Sequence, residues 1–177
     1  MLTLNKYVAV FLTVLLNIFT SQYSYAHVMV AQQGTLNFVD GAVYMVLSLP
    51  VTAFEGIDDN HDGKLSKAEF EHHQRSIAVI VQDKVVMSDS QGKLNLKGLV
   101  LSPISSHDSP KDSASQLIVM GKFELNDNVS SLHYQLSLFG NTASEQKIEI
   151  TARYKARGLK QVMTFTPKNT AIDVFKT

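Results

Sequence analysis

Residues 147–154 read KIEITARY, and every second side chain of this stretch is apolar or aromatic. One set comprises Ile148, Ile150, Ala152 and Tyr154, and the other comprises Lys147, Glu149, Thr151 and Arg153. Because successive side chains of a β-strand point to opposite faces, this alternation predicts a strand with one buried face and one face in water. Such half-buried strands are typical of antiparallel sheets.

The same alternation recurs along most of the chain. In residues 132–138, Leu132, Tyr134, Leu136 and Leu138 share one face. Nearer the start, Asp40-Gly41 separates two alternating runs within residues 28–49, which predicts a hairpin. From residue 82 onward, polar turn segments follow one another about every eight to twelve residues. We therefore predict a mainly β fold of about nine short strands, an antiparallel β-sandwich of immunoglobulin-like shape.

Residues 52–81 depart from this strand pattern. Thr52 and Glu55 fit a capping box at the start of a short helix. Residues 67–82, KAEFEHHQRSIAVIVQ, carry apolar side chains at helical spacing and predict a longer helix. The polar residues 58–69 lie between them. The sequence therefore predicts a helix–loop–helix inserted between the second and third strands of one domain.

The polar loop reads DDNHDGKLSKAE, with oxygen-bearing side chains at alternate positions. Asp58, Asn60 and Asp62 take its first, third and fifth positions, Gly63 the sixth and Glu69 the twelfth. This is the pattern D-x-[DN]-x-[DN]-G-x5-E with every defined position filled. Ca²⁺ is a hard cation that takes six to eight oxygen ligands, and alternate residues of a curled loop can turn their oxygens inward to supply them.

These twelve residues resemble the calcium loop of the EF-hand family. The resemblance implies a Ca²⁺ cofactor held by Asp58, Asn60, Asp62, Lys64, Ser66 and Glu69. In that scheme Lys64 supplies its backbone carbonyl, Ser66 acts through a water molecule and Glu69 binds in bidentate fashion. EF-hands usually occur in pairs, and no second loop is present in the sequence. We therefore expect weak binding, about 10⁻⁴ to 10⁻³ M, with a structural role or one in presenting a surface to an unidentified protein partner.

The first 26 residues have the features of a secretory signal peptide. Lys6 precedes an apolar run of 13 residues, Tyr7 to Phe19, and Ser24-Tyr25-Ala26 offers small residues for cleavage. The run is too short to cross a bilayer, which takes about 20 residues. We expect residues 27–177 to form a single exported domain, periplasmic or secreted, without a membrane span after cleavage.

The composition excludes several classes of function. There is no cysteine, so disulfides, thiolate metal sites and a cysteine nucleophile are excluded. Loss of Lys6 leaves 15 basic and 16 acidic residues, a net charge of −1. No stretch of the sequence is markedly basic, so nucleic acid is not an expected partner. No Gly-x-Ser-x-Gly, His-Glu-x-x-His or phosphate-binding glycine motif occurs, and we expect a protein without enzymatic activity.

A second resemblance concerns the layout of the mature chain. The Ala-His junction at residue 27, the single polar loop, LSLF at 136–139 and QVMTFTPKNTAIDVF at 161–175 are similar to the exported domain of HupE/UreJ-like proteins. That resemblance implies a link to nickel or cobalt uptake. The alternative function is therefore periplasmic transition-metal binding (Cu, Ni or Co) or a transport-accessory role. His27, as the new N-terminus, would be the first ligand, and His107 or His133 could complete the site.

Overall fold

The computed structural model describes residues 30–105, 113–126 and 131–176. The predicted signal peptide at 1–26, together with His27 and His107, lies outside these ranges. The strands are β1 Gln33–Val39, β2 Ala42–Pro50, β3 Val85–Asp89, β4 Gly92–Leu94, β5 Leu96–Ile104, β6 Gln116–Glu124, β7 Leu132–Leu136, β8 Ile148–Tyr154, β9 Leu159–Phe165 and β10 Ala171–Val174. Within these ranges there is one α-helix, α1, at Lys67–Lys84, and short 3₁₀ helices occupy Val51–Ala53, Ala143–Gln146 and Lys155–Arg157. Within the described ranges no helix is long and apolar enough to cross a membrane.

The ten strands form two sheets. One has six strands in the order β5-β6-β2-β1-β8-β9, and the other has four in the order β10-β7-β3-β4. Neighbouring strands are antiparallel except for β1 and β8, which run parallel. The predicted mainly β fold is confirmed, but uniform antiparallel pairing is wrong at this one position. The alternation of side chains is the same in either direction, so it does not encode which strands become neighbours or how they run.

The hairpin predicted at Asp40-Gly41 joins β1 to β2. Both residues have positive φ angles, 48° and 74°, and Val39 pairs with Ala42 across a two-residue turn. Such a turn requires left-handed backbone at both central positions, which Asp and Gly tolerate better than most residues. The hairpin fixes the register of β1 and β2, so that Leu36 pairs with Met45 and both side chains are buried.

Tyr134 of β7 joins the inner faces of the two sheets. Its ring meets Phe123 of β6 and Phe165 of β9 edge-on, with centroid separations of 6.5 and 5.7 Å. The phenol is fully buried and donates to the Met45 sulfur at 3.1 Å. Burial raises the pKa of Tyr134, which therefore stays protonated. Two sheets with a shared apolar core are consistent with a β-sandwich.

The segment between β2 and β3 differs from its predicted form at its start. In place of the short first helix there is a single 3₁₀ turn, Val51–Ala53, after Pro50. The predicted capping box of Thr52 and Glu55 is wrong, because the Thr52 hydroxyl instead donates to Glu145 at 3.1 Å. Pro50 still pairs within the sheet, opposite Gln116, so little chain is left to form a helix before the loop. The second helix is confirmed and continues to Lys84, where β3 follows directly.

We expect Tyr134 to stabilise the folded protein through its ring and not through its hydroxyl. Tyr134→Ala should lower the free energy of unfolding by about 3–5 kcal/mol, because the cavity would lie between both sheets. Tyr134→Phe should change it by less than about 1 kcal/mol, because a thioether is a weak acceptor. Urea unfolding of both variants tests this, and equal losses in the two would contradict it.

Candidate metal centre

Four apolar side chains hold the polar loop 58–69 on the domain. Phe54 and Ile57 precede it and are 4% and 0% exposed, while Leu65 within it is 1% exposed. Ile77 of α1 is fully buried behind it. These residues belong to the same core as the sheets. The loop is thus a polar segment anchored at both ends by apolar burial, which keeps its exposed part close to the protein surface.

A backbone bridge attaches the middle of the loop to the sheet. The amide of Leu65 donates to the Ala114 carbonyl and the amide of Ala114 donates to the Leu65 carbonyl, both at 2.8 Å. The carbonyl of Ser115, the residue after Ala114, accepts from the amide of Val51 at 3.0 Å, and β6 begins at the next residue, Gln116. Leu65 lies within the loop, so this bridge holds the loop against the segment that leads into β6.

Loop amides orient the oxygens of the first half of the loop. Asp58 accepts from the amides of Asp62 and Gly63, at 3.2 and 2.7 Å. Asn60 Oδ1 accepts from the Asp62 amide at 3.0 Å, and Asp62 Oδ1 accepts from the Lys64 amide at 2.8 Å. Gly63 has a φ of 74°, the left-handed conformation that lets the chain turn back here. The side chains of Asp58, Asn60 and Asp62 therefore point toward the backbone of the loop itself.

Glu69 closes the loop from the first turn of α1. Its carboxylate accepts from the Asp59 amide at 3.0 Å and from the Ser66 amide at 2.8 Å. The Ser66 hydroxyl in turn accepts from the Glu69 amide at 3.2 Å, which completes a capping box. Hydrogen bonding by the Ser66 side chain, then by the backbone of Ser66, Asp59 and Asn60, lowers the pKa of Glu69. Glu69 is only 7% exposed, and these hydrogen bonds favour its ionised form despite that burial.

His73 makes a further contact with the loop that the sequence analysis missed. Its Nε2 lies 2.9 Å from Asp59 Oδ1, and only 15% of its side chain is exposed. The sequence analysis also missed the capping box of α1, although Ser66-x-x-Glu69 matches its sequence pattern. The bridge to Ala114 had no sequence signal, because it joins residues 49 positions apart through backbone atoms alone.

The donor chemistry of the loop fits a hard cation. Asp58, Asn60, Asp62 and Glu69 offer only oxygens, and each carboxylate oxygen that accepts one amide keeps a second lone pair. Lys64 has its carbonyl within the loop, and Ser66 uses its hydroxyl as the helix cap. However, the described residues contain no group of three or more His, Cys, Asp or Glu side chains arranged to hold a metal ion. The carboxylates of the three acidic candidate ligands, Asp58, Asp62 and Glu69, are instead hydrogen-bonded to backbone amides.

The predicted histidine site receives no support from the described residues. His133 lies on the exposed face of β7, and its Nδ1 contacts a carboxylate oxygen of Asp173 on β10. His72 and His73 are neighbours on α1 with their rings edge to face, and His73 contacts Asp59. His27 and His107 are outside the described ranges. The alternative of a transition-metal site on His27 therefore stays a prediction.

Comparison with known proteins does not assign this chain to a family. No protein-family model matches the chain, and a search of curated proteins finds no match. The case for the candidate site therefore depends on its own residues.

The lowered pKa of Glu69 predicts a specific effect of acid on stability. A depressed carboxylate pKa stabilises the folded state above its ordinary value, here 4.5, and this stabilisation is lost as the pH falls through the lowered pKa. Unfolding free energies measured between pH 7 and pH 3 should therefore fall less steeply for Glu69→Gln than for the natural protein. Parallel curves for the two proteins would show that Glu69 contributes nothing to the acid dependence.

Proposed function

We propose that this is an exported calcium-binding protein whose loop 58–69 takes one Ca²⁺ ion in the manner of an EF-hand inserted in a β-sandwich. The ligands would be Asp58, Asn60, Asp62, the Lys64 carbonyl, Ser66 through water, and Glu69. The observation that carries the proposal is the folded-back conformation of the loop. Its side-chain oxygens accept hydrogen bonds from backbone amides of residues two to ten positions away. Binding would draw three carboxylates that are now held separately around one cation.

The role of the ion in this proposal is structural. An opening switch needs two helices that change their angle, and here the chain enters the loop through a single 3₁₀ turn. The bridge from Leu65 to Ala114 ties the loop to the start of β6, so an ion that orders the loop also orders the segment that leads into β6. At about 1 mM free Ca²⁺ and a dissociation constant near 0.1 mM, binding would add about 1.4 kcal/mol.

Calcium could also shape a surface for a protein partner. A cavity of about 480 Å³ lies beside the loop, and its lining includes Phe54, Asp58, His61, Phe139 and Asn141. Its lining combines apolar and polar groups, as ligand-binding pockets commonly do. Because Asp58 would be a ligand, binding of the ion would fix one wall of this cavity. A periplasmic protein partner that recognises the calcium-bound form is part of the proposal.

Calorimetric titration with CaCl₂ tests the site directly. We expect one site with a dissociation constant of about 10⁻⁴ to 10⁻³ M, and a higher melting temperature at millimolar calcium. Glu69→Gln should abolish both effects. The matched control is Glu71→Gln, which removes a carboxylate on the same helix whose side chain is 65% exposed and pairs with Lys67. An unmodified protein that neither releases heat nor gains thermal stability with calcium would refute the proposal.

The bridge predicts an effect on calcium affinity from a residue that is no ligand. Ala114→Pro removes the amide that donates to Leu65, and should weaken calcium binding several-fold because the loop loses its attachment to the sheet. Ala114→Gly keeps that amide and serves as the control. Calorimetry of both variants at equal calcium concentrations measures the difference. Equal affinities in the proline and glycine variants would show that the bridge does not position the loop.

A further inference from the structure

The strand register aligns polar side chains from all six strands on the outer face of the larger sheet. Directly paired positions, from one edge to the other, are Lys97, Lys122, Tyr44, Asn37, Arg153 and Lys160. We call this set the basic row. Tyr44, Asn37 and Arg153 each have a buried neighbour along the strand, such as Met45 or Ala152, so this part of the row faces away from the core. Lys97 and Lys160, at the two ends, are exposed. Four of its six residues are cations, drawn from four separate parts of the chain.

Like charges face each other at both ends of the basic row. Lys97 is paired with Lys122, and Glu124 forms ion pairs with both. At the other end Arg153 is paired with Lys160, and within the described ranges neither makes an ion pair with an acid. Directly opposed like charges destabilise a sheet. An unneutralised pair of this kind is therefore a position where an external anion would stabilise the surface.

Apart from Glu124, the residues near the row on this face do not cancel its positive charge. The next row of paired positions consists of Val100, Met120, Val46, Thr35, Thr151 and Val162, with no charged residue. Glu149 lies four residues along β8 from Arg153, about 13 Å away at the usual rise of a strand. This exceeds the screening length of about 8 Å at physiological ionic strength. The charge is thus concentrated in a line across the strands.

The basic row is long enough to contact several successive units of an extended polymer. Six strands at about 4.8 Å spacing make it about 24 Å long, with a gap of about 14 Å between the two cationic ends. Tyr44, 48% exposed, and the amide of Asn37 fill this gap. An aromatic ring beside an amide can pack on the apolar face of a sugar while the amide bonds its hydroxyls. The cations would pair with carboxylates or sulfates.

Nucleic acids and membranes fit this row less well. Single-stranded nucleic acid binds by stacking successive bases on several aromatic side chains, and the basic row has one. A bilayer surface attracts clustered cations together with apolar side chains that enter the headgroup region. Val100 and Val162 of the next row are exposed, but the cations form a line across the strands and not a cluster.

We propose that the basic row binds an extended anionic polysaccharide, laid across the six strands with its acidic groups on Lys97 and Lys122 at one end and on Arg153 and Lys160 at the other. This interaction is independent of the calcium loop. It would give an exported protein of near-neutral net charge a local attachment to an acidic glycan.

The test is the fluorescence anisotropy of a fluorescein-labelled oligogalacturonate titrated with the purified protein. The buffer has low salt and contains EDTA, because the carboxylates of the probe bind calcium themselves. We expect saturable binding that weakens with added NaCl. Arg153→Gln/Lys160→Gln should weaken it about tenfold or more, whereas Glu124→Gln should strengthen it by exposing the charges of Lys97 and Lys122. Labelled neutral dextran should not bind.

The matched control is Lys67→Gln/Arg75→Gln, which removes one lysine and one arginine exposed on α1. It should change the affinity by less than about twofold. The proposal is overturned if the probe does not bind, or if both double variants weaken binding equally. It is also overturned if single-stranded DNA or phosphatidylglycerol vesicles bind as tightly as the glycan. Melting temperatures verify that each variant is folded. If the Arg153/Lys160 variant does not fold, the Glu124 variant still tests the basic row.

Discussion

The packing of Tyr134 between the two sheets is the contact on which the fold depends most. Its ring is covered by Phe123 and Phe165 from the opposite sheet, and its hydroxyl reaches Met45. The chain has no cysteine, so no disulfide limits the entropy of its unfolded state. Stability must come from apolar burial across this interface. The phenol is tolerated there because the sulfur of Met45 accepts its hydrogen bond, which avoids an unpaired polar group in the core.

The segment between β2 and β3 uses the same core to position a polar loop. Leu65, Ile77 and Val81 are all buried, while the oxygens of Asp58 and Asp62 stay at the surface. Backbone hydrogen bonds supply the remaining order: the Ser66–Glu69 capping box begins the helix, and the Leu65–Ala114 bridge ties the loop to the sheet. The loop is therefore attached to the rest of the domain in two ways, by apolar burial and by backbone hydrogen bonds.

The basic row arises from a different constraint, the register of strand pairing. Lys97, Lys122, Arg153 and Lys160 are scattered over 64 residues of a nearly neutral chain. Hairpin turns and inward-facing apolar side chains fix the register, because a slip of one residue would expose the core. Once the register is fixed, the outward residues are aligned as well. A surface feature of this kind follows from core packing, although the residues that compose it take no part in that packing.

The sequence by itself determined the class of secondary structure, the turn at Asp40-Gly41, the long helix and the unusual oxygen pattern of residues 58–69. These are local properties, set by alternation, helical spacing and backbone preferences within a few residues. The tertiary structure alone decided that β1 and β8 run parallel, that Thr52 bonds Glu145 instead of capping a helix, and that Ala114 pairs with Leu65. It also decided the alignment of the basic row. Each of these depends on which distant segments meet when the core closes, and side-chain alternation carries no information about that choice.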